Sequence, residues 1–399
     1  MLLRPTPADV CLDSIRVLLL YAQWMPFRAE GTHLKSRYND VSAWAVLGLA
    51  VRYAVFLGLE RSVLAPLQNE VLGDEDMSRF RVWINLVTCD CNLMLSSGLP
   101  ASLDPRPTAS VSRIIYARAG DAQPPDLRVT ALIELAAIAY RALHCEPRIL
   151  DVALLKKANT EMDEWEAYWV QRLRVTPSQH IHLPFTSLRM YRLTINSTCL
   201  GPLLSSSSQA SHQPLQLHLL QSLDICLTAA AQTILALADT GGTAVWCLQS
   251  QDATTFPPGP FEVDTEALDK IYYAVDSTWI SHTFAVTFLA LCYVRGVVDG
   301  ARAESVLGRL LTLAAAVFSA ISPRSSAHPG RDFQPVVQNA TTLVLQGLVQ
   351  QTETSDPHDT DLALQPLFDL MTDAGLEWPS SLLVDSTATP TGWGCGITL

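Results

Sequence analysis

Asp76-Met77-Ser78-Arg79-Phe80-Arg81-Val82-Trp83-Ile84-Asn85-Leu86-Val87-Thr88-Cys89-Asp90-Cys91-Asn92-Leu93-Met94-Leu95-Ser96-Ser97-Gly98-Leu99-Pro100 is the stretch whose reading decides the fold. Phe80, Trp83, Val87, Asp90 and Met94 follow one another at spacings of three, four, three and four. That period draws a single stripe down a helix, and an apolar stripe faces a core. Asp74-Glu75-Asp76 puts negative charge at the positive start of the helix, and Gly98-Leu99-Pro100 stops it. Asp90 stands in the middle of the buried stripe, where an unpartnered carboxylate costs several kcal/mol. Arg52 is the mirror oddity, the one basic residue between Trp44 and Leu59. The expectation is an ion pair of Asp90 with Arg52 or Arg81 inside the first helical layer.

Working outward, the same three-and-four spacing recurs along the chain and alternating strand patterns are scarce. It predicts helices near residues 11–25, 40–58, 76–96, 127–144, 150–172, 185–200, 215–238, 265–297, 302–321, 334–351 and 361–374. Asn39-Asp40 and Ser42 offer caps before Trp44, and Gly58 suits the left-handed position that ends that helix. Residues 101–126, with Pro105, Pro107, Pro124 and Pro125, read as a connection. Ser205 to Ser208 and Phe256-Pro257-Pro258-Gly259-Pro260 read the same way. The fold class expected is all-α, a layered antiparallel bundle of roughly ten helices. One helical domain would span 1–378, with a flexible tail over 379–399.

Composition narrows the function. Of 399 residues, 27 are basic and 39 acidic, a net charge of −12. The densest basic spot, Lys156-Lys157, lies beside Glu161, Asp163, Glu164 and Glu166. Phosphate neutralisation needs a basic patch, so the chain is not expected to hold DNA unaided. The stretches Ala43–Leu59 and Phe284–Val298 are apolar but carry Arg52 and Arg295, and read as core helices of a soluble protein. Nine scattered cysteines and the absence of a secretory leader point to free thiols in a reducing compartment. The sequons at Asn196 and Asn339 then read as chance.

Residues 11–110 resemble the core of the fungal-specific transcription factor domain, the middle regulatory region of binuclear zinc-cluster regulators. Ser14 to Trp24 matches the first helix of that pattern. Ala43-Trp44, Gly48, Ala50, Arg52, Ala54 and Leu57-Gly58-Leu59 match the second. The third part, Arg81-x-Trp83, Asp90 seven residues later and Gly98-x-Pro100 beginning eight beyond, is the most specific. Trp279 and His282-Thr283-Phe284-Ala285 match a later helix loosely. Leu99 stands where the family usually has Arg, and Glu60 where it has His or Arg. The resemblance implies a transcription regulator of RNA polymerase II genes in the nucleus. Its partners would be other transcription proteins, a homo- or heterodimer mate and a small-molecule effector. The family's DNA-reading zinc cluster has paired C-x2-C-x6-C runs, and these 399 residues contain none. That cluster would lie N-terminal to Met1, so no cofactor is expected within this chain. Trp44, Arg52, Gly58, Arg81, Trp83, Asp90, Gly98 and Pro100 carry the signature and are read as structural.

Other constellations read blandly. Cys89 and Cys91, two apart on a helix, diverge by roughly 200° and cannot share one metal ion. His180-Ile181-His182 lacks a third ligand nearby. Asp163, Glu164 and Glu166 beside Trp165 and Trp169 read as a solvated acidic face with tryptophans inward, rather than a carboxylate pair for hydrolysis. No nucleophile elbow, phosphate-binding glycine loop, dinucleotide fingerprint or HExxH occurs, so no catalytic or metal residue is named and no enzyme is expected. Two alternatives stand beside the regulator. One is an all-helical small-molecule binder or enzyme with a pocket between helices. The other is a truncated paralogue acting only through protein contacts.

Overall fold

Helix follows from the apolar spacing and fills nearly all of what the structure describes. The computed structural model describes residues 6–24, 41–64, 73–97, 100–118, 124–143, 152–174, 183–204, 217–239, 261–298, 305–325 and 327–346. In chain order the helices are α1 Leu12–Gln23, α2 Val41–Phe56, α3 Leu59–Leu64, α4 Asp74–Ser97 and α5 Pro105–Arg118. There follow α6 Pro124–Leu143, α7 Val152–Arg174, α8 Leu183–Ser197, the single turn α9 Gly201–Leu204 and α10 Leu217–Leu235. After a two-residue antiparallel strand pair, Ala238–Asp239 with Glu262–Val263, come α11 Thr265–Ile271, α12 Asp276–Val294, α13 Val306–Ile321 and α14 Pro329–Leu345. The protein is all-α. The predicted helix at 361–374, the tail at 379–399, Gly98, Leu99, His180 and His182 lie outside the described residues.

Two expectations on elements are corrected. Residues 105–118 form α5 rather than a connection, because Pro105 and Pro107 occupy its first turn. There the missing N–H has no helical partner to lose, and the fixed φ already suits a helix. Pro124 and Pro125 open α6 in the same way. The single helix expected over 265–297 is broken at residues 272–275, between α11 and α12. At the break two carbonyls bond outside the helix. His328 Nε2 donates to the Tyr272 carbonyl at 2.9 Å, and the Trp24 indole to that of Tyr273 at 3.3 Å. A continuous helix would have used both oxygens internally.

Burial divides into three clusters that follow the chain. The first joins α1, α2, α4 and α5 around Ile15, Leu47, Phe80, Trp83 and Ile115. The second gathers the end of α4 with α6, α7 and α8 around Met94, Leu135, Trp165, Trp169 and Ile195. The third wraps α8, α10, α13 and α14 around α12. Helix α4 serves the first two and α8 the last two, so neither cluster boundary is a break in packing.

Helix α12 is long and apolar enough to cross a membrane, yet 83% of its apolar window is buried inside the fold. Its polar residues survive there by bonding their own backbone one turn back. Ser281, His282, Thr283 and Thr287 each reach the carbonyl four residues before, at 2.8 to 3.0 Å. Such back-bonding satisfies a hydroxyl without needing any neighbouring helix.

Candidate functional site

The stripe read from sequence is real: Phe80, Trp83, Val87, Asp90 and Met94 are all buried. The ion pair expected for Asp90 is not. Arg52 is exposed, and Arg81 instead grips Asp126 at the start of α6 with two bonds of 2.8 and 2.7 Å. Asp90, 2% exposed, accepts from the backbone N–H groups of Ser102 at 2.6 Å and Leu103 at 2.8 Å. Burial pushes its carboxyl upward, against the lowering effect of those amides. Two neutral donors thus stand where a cation was expected.

Three of the signature residues, Trp44, Trp83 and Asp90, converge on one segment that begins at a fourth, Pro100. Trp44 on α2 donates from its indole to the Pro100 carbonyl at 3.3 Å. Asp90 holds the amides of residues 102 and 103, and Trp83 donates to the Thr108 hydroxyl at 2.9 Å. Residues 100–108 are therefore pinned to α2 and α4 by three side chains, and α5 starts inside that segment. Gly58 ends α2 at φ 66°, a conformation L side chains rarely adopt.

A second polar cluster went unread in the sequence. Arg192 on α8 bonds Asp163 at 2.5 Å and Glu166 at 2.9 Å on α7. Glu166 is buried, which corrects the solvated acidic face expected for all three carboxylates; Asp163 and Glu164 do face solvent. Trp165 and Trp169 turn inward and donate to the Ala131 carbonyl and to Glu134, both at 2.9 Å. Arg189, one turn before Arg192, is also buried. Desolvation pushes its guanidinium down to about 10, with Arg192 adding to that and Glu166 opposing it. The signal was present, since Arg192 shares the apolar stripe of Leu188, Tyr191 and Ile195 much as Asp90 shares its own, while Arg189 lines up with Leu193 of the third core.

The third core holds an aromatic and histidine group. The His328 ring stacks on Tyr272 at 4.4 Å and meets the edge of Trp279 at 5.0 Å. Trp279 also lies 5.9 Å from both Phe318 and His282. Burial drives the His282 imidazole down to about 4, the Thr278 carbonyl opposes this, and the charge of Arg189 adds to it.

Among the described residues no three His, Cys, Asp or Glu side chains converge as metal ligands do. Cys89 accepts a contact from the Gln23 amide at 2.8 Å, and burial pushes its thiol up to about 12, while Cys91 is buried. Asn196 is buried and exchanges paired amide bonds of 2.9 Å with Asn159, so its sequon presents no side chain to solvent. On the outer side of α1, Val17, Leu20, Tyr21 and Trp24 form an exposed apolar stripe, with Leu20 57% exposed. Their spacing of three, one and three is helical, so the sequence carried this signal too.

Compared with known proteins, the chain is similar to protein priB of Lentinula edodes, a fungal protein, at 26% identity over 209 residues. The match takes in 50% of this chain and 35% of the relative, so the chain spans about a third of that protein's length. No protein-family model matches the chain, and no solved structure matches it.

Proposed function

We propose that this chain is the regulatory region of a fungal zinc-cluster-type transcription regulator, acting in the nucleus on RNA polymerase II genes and without catalysis of its own. The observation that carries the reading is the convergence of Trp44, Trp83 and Asp90 on residues 100–108. Those are signature residues of the resemblance, and they serve one shared structural purpose. The similarity to a fungal protein over half the chain supports the same reading.

On this reading the chain binds other transcription proteins, or a second copy, and DNA contact belongs to a cysteine cluster that these 399 residues do not contain. The exposed stripe of α1 offers an apolar surface of the kind protein contacts use. A buried bundle with polar groups set among apolar helices is an element whose packing a ligand or partner could bias. The test is a reporter assay in yeast with the chain fused to an unrelated DNA-binding domain. Several-fold activation or repression over that domain alone is expected. A fusion that is folded, nuclear and leaves the reporter unchanged would sink the proposal.

A further inference from the structure

Among the described residues, two polar atoms deep in the third core meet no protein partner: the indole Nε1 of Trp279 and the imidazole Nε2 of His282. Trp279 is 0% exposed and His282 4%. They stand three residues apart on α12 with ring centres 5.9 Å apart, so they lie on the same side of the helix. Their hydrogen-bonding roles are fixed. His282 Nδ1 lies 2.8 Å from the Thr278 carbonyl, which only accepts, so the proton sits on Nδ1 and Nε2 presents a lone pair. With the imidazole held near 4 by burial, that lone pair persists at neutral pH. The Trp279 indole only donates. His328, the nearest other ring, has both nitrogens occupied, one by the Gly330 amide and one by the Tyr272 carbonyl.

Native interiors leave few buried donors or acceptors unfilled, because each loses its hydration without replacement. The geometry points to a buried guest site between Trp279 and His282 for one neutral group that both accepts and donates a hydrogen bond. Water fits this description, as do the hydroxyl or carboxamide of a small molecule. A carboxylate accepts from the indole but sets lone pair against lone pair at His282. An ammonium has nothing to accept the indole proton with, and the positive Arg189 already disfavours positive charge at His282. The lining mixes polar and apolar groups: His328 and the charge of Arg189 on one hand, and Phe318, its ring centre 5.9 Å from that of Trp279, on the other. Ligand sites commonly combine an apolar lining with a few polar groups that select and orient. The site holds independently of whether the chain regulates transcription.

The test uses the full chain labelled with 5-fluorotryptophan, its Trp279 resonance assigned through Trp279→Phe. Ethanol and acetamide are the neutral probes, sodium acetate and methylammonium chloride the charged ones. Expected is a saturable shift of that resonance with a neutral probe, none with either charged probe, and at least tenfold weaker response in His282→Phe. A second supporting outcome is no response to any probe together with a long-lived water in contact with the Trp279 indole proton, which makes water the sole occupant. Equal response to charged and neutral probes overturns the proposal. So does the absence of both probe response and bound water. Should His282→Phe fail to fold, the comparison of charged with neutral probes in the unaltered chain still decides.

Discussion

At the scale of single residues, Asp90 and His282 are buried ionisable groups with opposite pH signatures. Asp90 has its folded pKa raised, so the folded state holds the proton more tightly. Its contribution is greatest in acid and falls as pH rises through the carboxylate range. Asp90→Asn keeps an acceptor for Ser102 and Leu103 and sheds the buried charge, so stability at pH 7 should stay within about 1 kcal/mol of the parent. Asp90→Ala orphans two amides and should cost about 3 kcal/mol. Urea midpoints decide, and equal losses in both variants would refute the capping account. His282 has its folded pKa lowered to about 4 from 6.5. Its contribution is complete above pH 6.5 and is lost as pH falls. Between pH 7 and pH 5 the parent should lose about 2 kcal/mol more than His282→Gln. An identical pH dependence of the two proteins would show that the imidazole is not buried as described.

Helix existence was legible in the sequence because it depends on apolar spacing alone. Partners across the fold were not. Asp90 was correctly placed inside, but its neighbours are backbone amides, which leave no mark in side-chain identity. The Pro-rich segment was misread because proline breaks a helix interior and suits a first turn, and only position separates the two cases. On α1 the two apolar faces look alike in sequence, yet Ile15, Leu18 and Leu19 are buried while Leu20 is not. Leu19→Ala should therefore cost about 2–4 kcal/mol. Leu20→Glu should leave stability within about 0.5 kcal/mol, as a free surface change does. Thermal unfolding of both variants measures the contrast, and a comparable loss in each would mean that the outer stripe is covered.

Across the whole molecule, α12 is the centre of the third core and α4 and α8 are shared between cores. Local opening of α12 requires the helices around it to part, so its amides should exchange hydrogen most slowly of all. Faster exchange in α12 than in α1 would contradict its central place. Among the described residues, Arg81, Arg113, Arg141, Arg192 and Arg324 each sit on a carboxylate. A phosphate approaching any of those five guanidinium groups would have to displace the acid already on it.

The kink at residues 272–275 has a temporal consequence. The bond from Trp24 to Tyr273 joins residues 249 apart in sequence, so it cannot form until residue 273 has been synthesised. During translation α1 therefore waits with its indole unclasped until the break between α11 and α12 has emerged to receive it.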